Sequence, residues 1–248
     1  MSNNTVKAII IGLGILITSC GKKEDPIVKN NTIIACIGDS VTYGGEHGYV
    51  EYLQKYMNDS VPEKKVTLLN WGKNSETITH LTETGHPGPR PFLFDRLDSL
   101  LTLSPKPDIV TFCYGMNCGI YGLPSEELFM TYNNRLILFL DTMKRQEIDV
   151  ILMTPPPLAL DAANAHGRIA SSEEDVYSWK NPYERYDEEV IQKFKDIILE
   201  TNHPAVIKKI DIHTPLLQQA DKAYDKDPIH PNANGYRIIA DTIFKFLL

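Results

Sequence analysis

Residues 32–44 read Thr-Ile-Ile-Ala-Cys-Ile-Gly-Asp-Ser-Val-Thr-Tyr-Gly, and this stretch decides the class of fold. Residues 32–37 form a continuous run of β-branched and apolar side chains, which is typical of a strand buried on both faces. The run ends at Gly38, and Ser40 follows where a helix is expected to begin. A buried strand that leads straight into a helix predicts the first unit of a parallel α/β sheet.

Four more strand-like runs follow, with helical patterns between them. Their order predicts one three-layer α/β/α domain around a parallel, five-stranded sheet, with no internal repeat. The predicted strands cover residues 32–37, 66–69, 108–112, 149–153 and 206–212.

Composition excludes several classes of protein. The chain has 248 residues, of which 42% are hydrophobic and 23% are charged, so collagen, coiled coil and wholesale disorder are excluded. Its 25 basic and 32 acidic side chains give a net charge of −7, which argues against a nucleic-acid partner. Four cysteines are too few for a fold built on disulfides.

The N-terminal segment has the pattern of an export signal. The apolar run at residues 8–17 is shorter than the ~20 residues that span a bilayer, and a lysine precedes it. The Ile-Thr-Ser-Cys sequence that follows resembles the lipobox of bacterial lipoproteins. That resemblance implies a signal peptide over residues 1–19 and lipidation of Cys20, which would anchor the protein to the bacterial cell envelope, at the outer membrane, either periplasmic or surface-exposed. A plain signal peptide with an incidental cysteine, or a buried strand, is the alternative.

Residues 20–31 are mostly polar and are predicted to be a linker between the lipid anchor and the domain. The folded domain is therefore expected to cover residues 32–248.

Polar residues follow the predicted strands, at the edge where open parallel sheets bind ligands. Ser40 needs a base and a group that orients the base before it can act as a nucleophile. His230 is the best candidate base, and Asp227 is the candidate partner of its other ring nitrogen. The backbone N–H groups of Ser40 and Gly72 and the side chain of Asn117 are candidate donors to an oxyanion.

Each of these residues also has a structural interpretation that requires no chemistry. Ser40 could be a helix N-cap, and His230 could be a surface histidine. Gly72 and Asn117 could be turn residues.

Four blocks of sequence together resemble the SGNH/GDSL hydrolases. They are Gly-Asp-Ser at 38–40, Asn-x-Gly-x-x-Ser at 70–75, Gly-x-Asn at 115–117 and Asp-x-x-His at 227–230, and the resemblance extends from residue 33 to about 240. It implies a flavodoxin-like sandwich and a serine esterase that needs no cofactor or metal. In that family Ser40 would be the nucleophile, Asp227 and His230 its partners, and Ser40, Gly72 and Asn117 the oxyanion hole. Many members have Asp where this chain has Cys118, which implies altered local hydrogen bonding.

Several other groups are candidate sites. Asp211 and His213 form a second acid–histidine pair, with structural hydrogen bonding as the alternative. His86 and Arg90 either shape the pocket or belong to a surface loop, and the spacing of His80 and His86 matches no common metal site.

The cysteines and one long connection leave alternatives open. Cys36, Cys113 and Cys118 are expected to be buried thiols, although export would permit a Cys113–Cys118 disulfide. Residues 154–182 form a connection long enough to be a wall or lid over Ser40, and a solvated insertion with a short helix is the alternative.

The function expected from these features is hydrolysis of small acyl esters, with acetyl groups on carbohydrate as the first choice. The partners would be a glycan ester and a membrane reached through the lipid anchor. A lysophospholipase or thioesterase with a long acyl slot is one alternative, and a non-catalytic glycan-binding module is another. The sequence leaves the oligomeric state open.

Overall fold

The computed structural model describes residues 26–86, 88–171 and 177–248. The predicted signal peptide, Cys20 and the first part of the predicted linker lie outside the described residues. The last part of that linker belongs to the domain, because Val28 is fully buried and donates its N–H to the carbonyl of Leu247 at 3.3 Å.

The described residues contain a five-stranded sheet in which all neighbouring strands are parallel. Its spatial order is β2-β1-β3-β4-β5, which confirms the predicted class of fold. The strands are β1 (Ile33–Gly38), β2 (Thr67–Gly72), β3 (Ile109–Cys113), β4 (Asp149–Met153) and β5 (Val206–Ile210).

Helices cover both faces of the sheet and form the outer layers. The longer ones have an apolar stripe that packs on the strands, as amphipathic helices do. In chain order the α-helices are α1 (Ser40–Tyr43), α2 (Tyr49–Ser60), α3 (Leu97–Leu101), α4 (Glu126–Arg145), α5 (Leu160–Ala165), α6 (Gln192–Glu200), α7 (His213–Leu217), α8 (Ala220–Ala223) and α9 (Ala233–Leu247), with single turns of 3₁₀-helix at Gly45–His47, Pro62–Lys64 and Leu93–Asp95 and a π-helical turn at Asp187–Ile191.

Alternation along β3 divides the core in two. Val110 and Phe112 belong to the core beneath α4 and α6, whereas Ile109 and Cys113 belong to the core beneath α2 and α9. Because successive side chains of a strand point to opposite faces, a strand covered on both sides is expected to be predominantly apolar. All of β3 is buried, and four of its five residues are apolar, with Thr111 as the exception.

The second strand is longer than predicted, so the candidate site residue Gly72 belongs to the strand and not to the loop after it. β2 continues to Gly72, which pairs in register with Gly38 of β1. A Cβ atom at Gly72 would lie 2.1 Å from the backbone nitrogen of Tyr43. Gly72 is therefore the last residue of an edge strand, where the missing side chain allows α1 to approach the end of β2.

Within the three described ranges, no helix combines the length and apolar character that a bilayer crossing requires.

Candidate active site

Ser40 lies at the first turn of α1, directly beyond the carboxyl end of β1. The N-cap of this helix is Asp39, whose carboxylate accepts the N–H of Val41 at 2.9 Å. The hydroxyl of Ser40 is therefore not used as a cap. Its Oγ lies 2.8 Å from Nε2 of His230, which comes from the loop before α9.

Asp227 completes a continuous hydrogen-bonded chain with Ser40 and His230. Its Oδ2 lies 2.7 Å from Nδ1 of His230, and its Oδ1 accepts the N–H of Ile229 at 2.8 Å. A carboxylate only accepts hydrogen bonds, so the neutral imidazole carries its proton on Nδ1. Nε2 is then free to accept the hydroxyl proton of Ser40.

Burial and the interactions between Asp227 and His230 act in opposite directions on the pKa values of these two residues. Burial disfavours a charged His230, but the hydrogen bond and negative charge of Asp227 outweigh burial and raise the pKa of His230 above its ordinary value. Burial likewise disfavours ionised Asp227, and its hydrogen bonds and the charge of His230 outweigh that effect, so the pKa of Asp227 is lowered. Burial raises the pKa of neighbouring Asp39 to about 6.

A cavity of about 400 Å³ opens beside Ser40 and His230. Seven of its ten lining residues are polar or charged by type, although the surface that they expose to the cavity is mainly apolar. Its lining residues are Ser40, Asn74, Ser75, His86, Arg90, Asn117, Tyr121, Trp179, Ile229 and His230.

The amide of Asn117 has one orientation that satisfies its neighbours. Its Oδ1 accepts from Nη1 of Arg90 at 3.1 Å and from the hydroxyl of Tyr121 at 2.8 Å. Its Nδ2 donates to the carbonyl of Glu76 at 3.2 Å, which leaves the second N–H for the cavity that Asn117 lines. Turning the amide over would place its NH₂ group against the Arg90 guanidinium and its oxygen against the carbonyl of Glu76, so the network selects this arrangement.

The structure corrects the prediction for Gly72. Its N–H donates to Oδ1 of Asn70 at 2.9 Å, and Gly72 is not among the residues that line the cavity. Ser75 lines the cavity in its place, with a φ of +63° in the left-handed region. Within the described ranges, the Ser75 N–H donates no hydrogen bond. Ser75 is the last residue of the second sequence block, and this position was the available signal in the sequence. A serine at that position, however, gives no indication that its backbone N–H is a donor.

The structure places both candidate pocket residues of the loop after β2 at the cavity. His86 and Arg90 line it, and Arg90 is only 6% exposed. The long connection after β4 combines features of both predicted alternatives, the wall and the insertion with a short helix. It contains the short helix α5, and it brings Trp179 to the cavity as a wall.

Asp211 and His213 do not form a pair. Asp211 accepts from Thr214 and lies 2.9 Å from Nζ of Lys195. His213 is fully buried and lies 3.2 Å from Asp187. The chain bends into α7 directly after Asp211, which ends the alternation that placed both side chains on one face.

The cysteines inside the domain are free and buried, including the pair considered for a disulfide. Burial raises the pKa of Cys36 to about 11 and that of Cys118 to about 12, so these thiols stay protonated. Cys118, at the position where many members of the resembled family have Asp, accepts a weak hydrogen bond from Oγ1 of Thr77 at 3.6 Å.

No three His, Cys, Asp or Glu side chains come together as metal ligands in residues 26–86, 88–171 or 177–248.

The five-stranded parallel sheet and the hydrogen-bonded Ser40, His230 and Asp227 define a class of structure, the three-layer α/β/α sandwiches with a Ser–His–Asp arrangement beyond the carboxyl ends of the strands. The sequence profile of the GDSL-like lipase/acylhydrolase family matches residues 36–238, and the chain belongs to that family. It is therefore a carboxylic ester hydrolase.

Solved structures with the same fold share little sequence with this chain. An acetylxylan esterase from Geobacillus stearothermophilus, Axe2, superposes with a TM-score of 0.61 at 21% identity, covering 89% of this chain and 96% of its own. Other structures of Axe2 are described as catalytic mutants in which a serine, an aspartate or a histidine is replaced by alanine. LAE5, an alpha/beta hydrolase enzyme from the metagenome of Lake Arreo in Spain, superposes with a TM-score of 0.60 at 18% identity, covering 90% and 98%. A comparison with curated proteins found no match.

Proposed function

We propose that this protein is a serine esterase that removes small acyl groups, with acetyl as the preferred group, from carbohydrate. The observation that carries the proposal is the hydrogen-bonded chain from Ser40 through His230 to Asp227, beside a cavity that Ser40 and His230 line. The aspartate and histidine replaced in the catalytic mutants of Axe2 are three positions apart, as Asp227 and His230 are, which supports these roles.

In the proposed reaction, Oγ of Ser40 attacks the ester carbonyl while Nε2 of His230 takes the hydroxyl proton. Asp227 stabilises the imidazolium, which then gives the proton to the leaving alcohol. A water molecule enters, loses a proton to His230 and attacks the acyl-enzyme. The acid leaves, and the proton returns to Ser40.

The proposed oxyanion hole uses the N–H groups of Ser40 and Ser75 and the free N–H of Asn117. Neither backbone N–H has an acceptor in the part of the chain that the structure describes, so both can serve a negative oxygen without breaking another bond. Losing one such donor in Asn117→Ala is expected to lower kcat by about 10²–10³-fold.

The lining of the cavity supports a short acyl group. A long acyl chain needs a continuous apolar slot, because each buried CH₂ is worth about 0.8 kcal/mol only when its surroundings are apolar. Here Arg90, Asn74 and Ser75 are part of the wall and interrupt its apolar surface. These groups disfavour the lysophospholipase and thioesterase alternatives.

A second cavity supports a polar, bulky alcohol. It measures about 550 Å³ and shares Trp179, Ile229 and His230 with the first cavity. Lys180 and Lys226 contribute to its lining, and Trp179 offers an aromatic surface against which a sugar ring can stack. The likeness in fold to an acetylxylan esterase supports the same assignment.

The test measures hydrolysis of p-nitrophenyl acetate and p-nitrophenyl octanoate by the parent protein and by Ser40→Ala. We expect the parent to prefer acetate and Ser40→Ala to lose at least about 10³-fold in kcat. A fluorophosphonate probe should label Ser40 in the folded protein and not after denaturation. Parent-like activity in Ser40→Ala would reject the mechanism, a preference for octanoate would reject the small-acyl assignment, and no labelling would favour a non-catalytic module.

A further inference from the structure

We propose that Arg90 is a positioning residue that aligns two donors of the oxyanion hole at once, and that Glu83 couples this alignment to the Trp179 wall. The inference rests on the proposed esterase function and adds to it a part that neither the family blocks nor the Ser–His–Asp chain contains.

The contacts of the Arg90 guanidinium are divided between two tasks. Its Nε and Nη2 bind Oε2 of Glu83, with Nε at 2.5 Å. Its Nη1 donates to the carbonyl of Ser75 at 3.2 Å and to Oδ1 of Asn117 at 3.1 Å. One planar group therefore contacts both residues that, besides Ser40, are proposed to bind the oxyanion.

These contacts determine where the donors point. At Asn117 the bond from Arg90 helps hold Oδ1 away from the cavity, so an N–H remains for the oxyanion. At Ser75 the bond holds the carbonyl of a residue in the left-handed region, a conformation that is disfavoured outside glycine and needs support from its surroundings. That carbonyl shares a planar peptide with the N–H of Glu76, which donates to the carbonyl of Lys73 at 3.2 Å, so this peptide is held at both ends. The N–H of Ser75 belongs to the preceding peptide, and its direction relative to the held one depends on the left-handed φ of Ser75.

Glu83 links this arrangement to the opposite wall of the cavity. Its Oε1 accepts the N–H of Trp179 at 2.6 Å, while Oε2 binds Arg90. The side chains of Glu83 and Arg90 are both buried, at 0% and 3% exposure. A buried ion pair contributes little to net stability because desolvation offsets its attraction, so stability alone does not account for this one. The position of this ion pair between the oxyanion donors and the Trp179 wall does account for it.

The test compares Arg90→Met and Arg90→Lys with Lys195→Met, a control that breaks the Lys195–Asp211 ion pair, whose residues do not line the cavity. With p-nitrophenyl acetate, we expect Arg90→Met to lower kcat about 10²-fold and to change KM less than about threefold, since displacement of donors by about 1 Å has that effect. Arg90→Lys keeps the charge beside Glu83, but a single ammonium lacks the planar fork that reaches all three oxygens. It should fold and still lose about tenfold in kcat. Lys195→Met should lose thermal stability and keep its kcat.

A double-mutant cycle with Asn117→Ala separates positioning from a general structural effect. If Arg90 acts through Asn117, the loss of kcat in Arg90→Met/Asn117→Ala will be smaller than the product of the two single losses. Parent-like kcat in Arg90→Lys, or losses that multiply fully, would overturn the inference. Neither result would affect the proposed function, which is tested separately by Ser40→Ala, by the comparison of acetate with octanoate and by the fluorophosphonate probe.

Discussion

At the scale of single residues, the charge of Asp227 determines the pH at which His230 becomes a base. The hydrogen bond and charge of Asp227 raise the pKa of His230 against the effect of burial. Only the neutral imidazole can accept the proton of Ser40, so kcat/KM should rise with pH through this pKa. The midpoint of the rise is expected above the ordinary value for histidine.

Replacing Asp227 by Asn should move that rise. The substitution removes the negative charge, so the pKa of His230 falls and the ascending limb of kcat/KM shifts to lower pH. The plateau should drop by about 10²–10⁴-fold, because the imidazolium loses its counter-charge and the ring its preferred tautomer. A pH–rate profile with p-nitrophenyl acetate measures both effects.

A neighbouring aspartate supplies the control for this experiment. Asp225 lies in the same loop, is exposed, and accepts from Nδ2 of Asn232 at 3.2 Å. Asp225→Asn should leave the position of the limb unchanged. A limb that stays in place in Asp227→Asn would show that this carboxylate does not control the base.

At the scale of secondary-structure elements, the position of Ser40 depends on how closely α1 packs on β2. Gly72 makes that approach possible, since an added Cβ would lie 2.6 Å or less from backbone atoms of Thr42 and Tyr43. Gly72→Ala keeps the backbone N–H and adds only this clash. It should lower the free energy of unfolding by about 1–3 kcal/mol and also reduce kcat/KM, as α1 is pushed away with Ser40.

Gly122→Ala is the matched substitution, because its added Cβ would meet only the carbonyl of Gly119 at 3.6 Å, an ordinary contact. The measurements are thermal unfolding and ester hydrolysis, compared between the two variants. If Gly72→Ala is as stable and active as Gly122→Ala, the close packing of α1 is not what Gly72 provides.

At the scale of the whole molecule, we propose that the domain is held at a membrane through Cys20. Val28 is packed into the domain, so only residues 20–27 would separate the lipid from the fold, and the enzyme would work close to the membrane surface. In a bacterial host that processes lipoproteins, the parent should partition into the detergent phase of Triton X-114, and Cys20→Ser into the aqueous phase.

Cys118→Ala is the control for that experiment, because it removes a buried cysteine of the domain and should leave partitioning unchanged. Labelling with radioactive palmitate should follow the same pattern. Detergent partitioning of Cys20→Ser would point to an uncleaved signal in place of a lipid.

Local sequence determined the sheet, its order of strands and helices, and the loops that hold Ser40, Asn117, Asp227 and His230. Those features follow from apolar runs and from residues that directly succeed them, so they can be predicted without knowing which distant segments meet. The apolar strands 109–113 and 149–153 show this, since their observed bounds differ from the prediction by one residue or none.

Only the tertiary structure decided which groups complete the site. The role of Gly72 depends on the approach of α1, and the orientation of Asn117 depends on Arg90 and Tyr121, which come from separate loops. His213 likewise finds Asp187 in place of Asp211. Such contacts form between residues far apart in the chain, and their geometry is set by packing and by the need to satisfy buried polar groups, for which a linear pattern carries no signal.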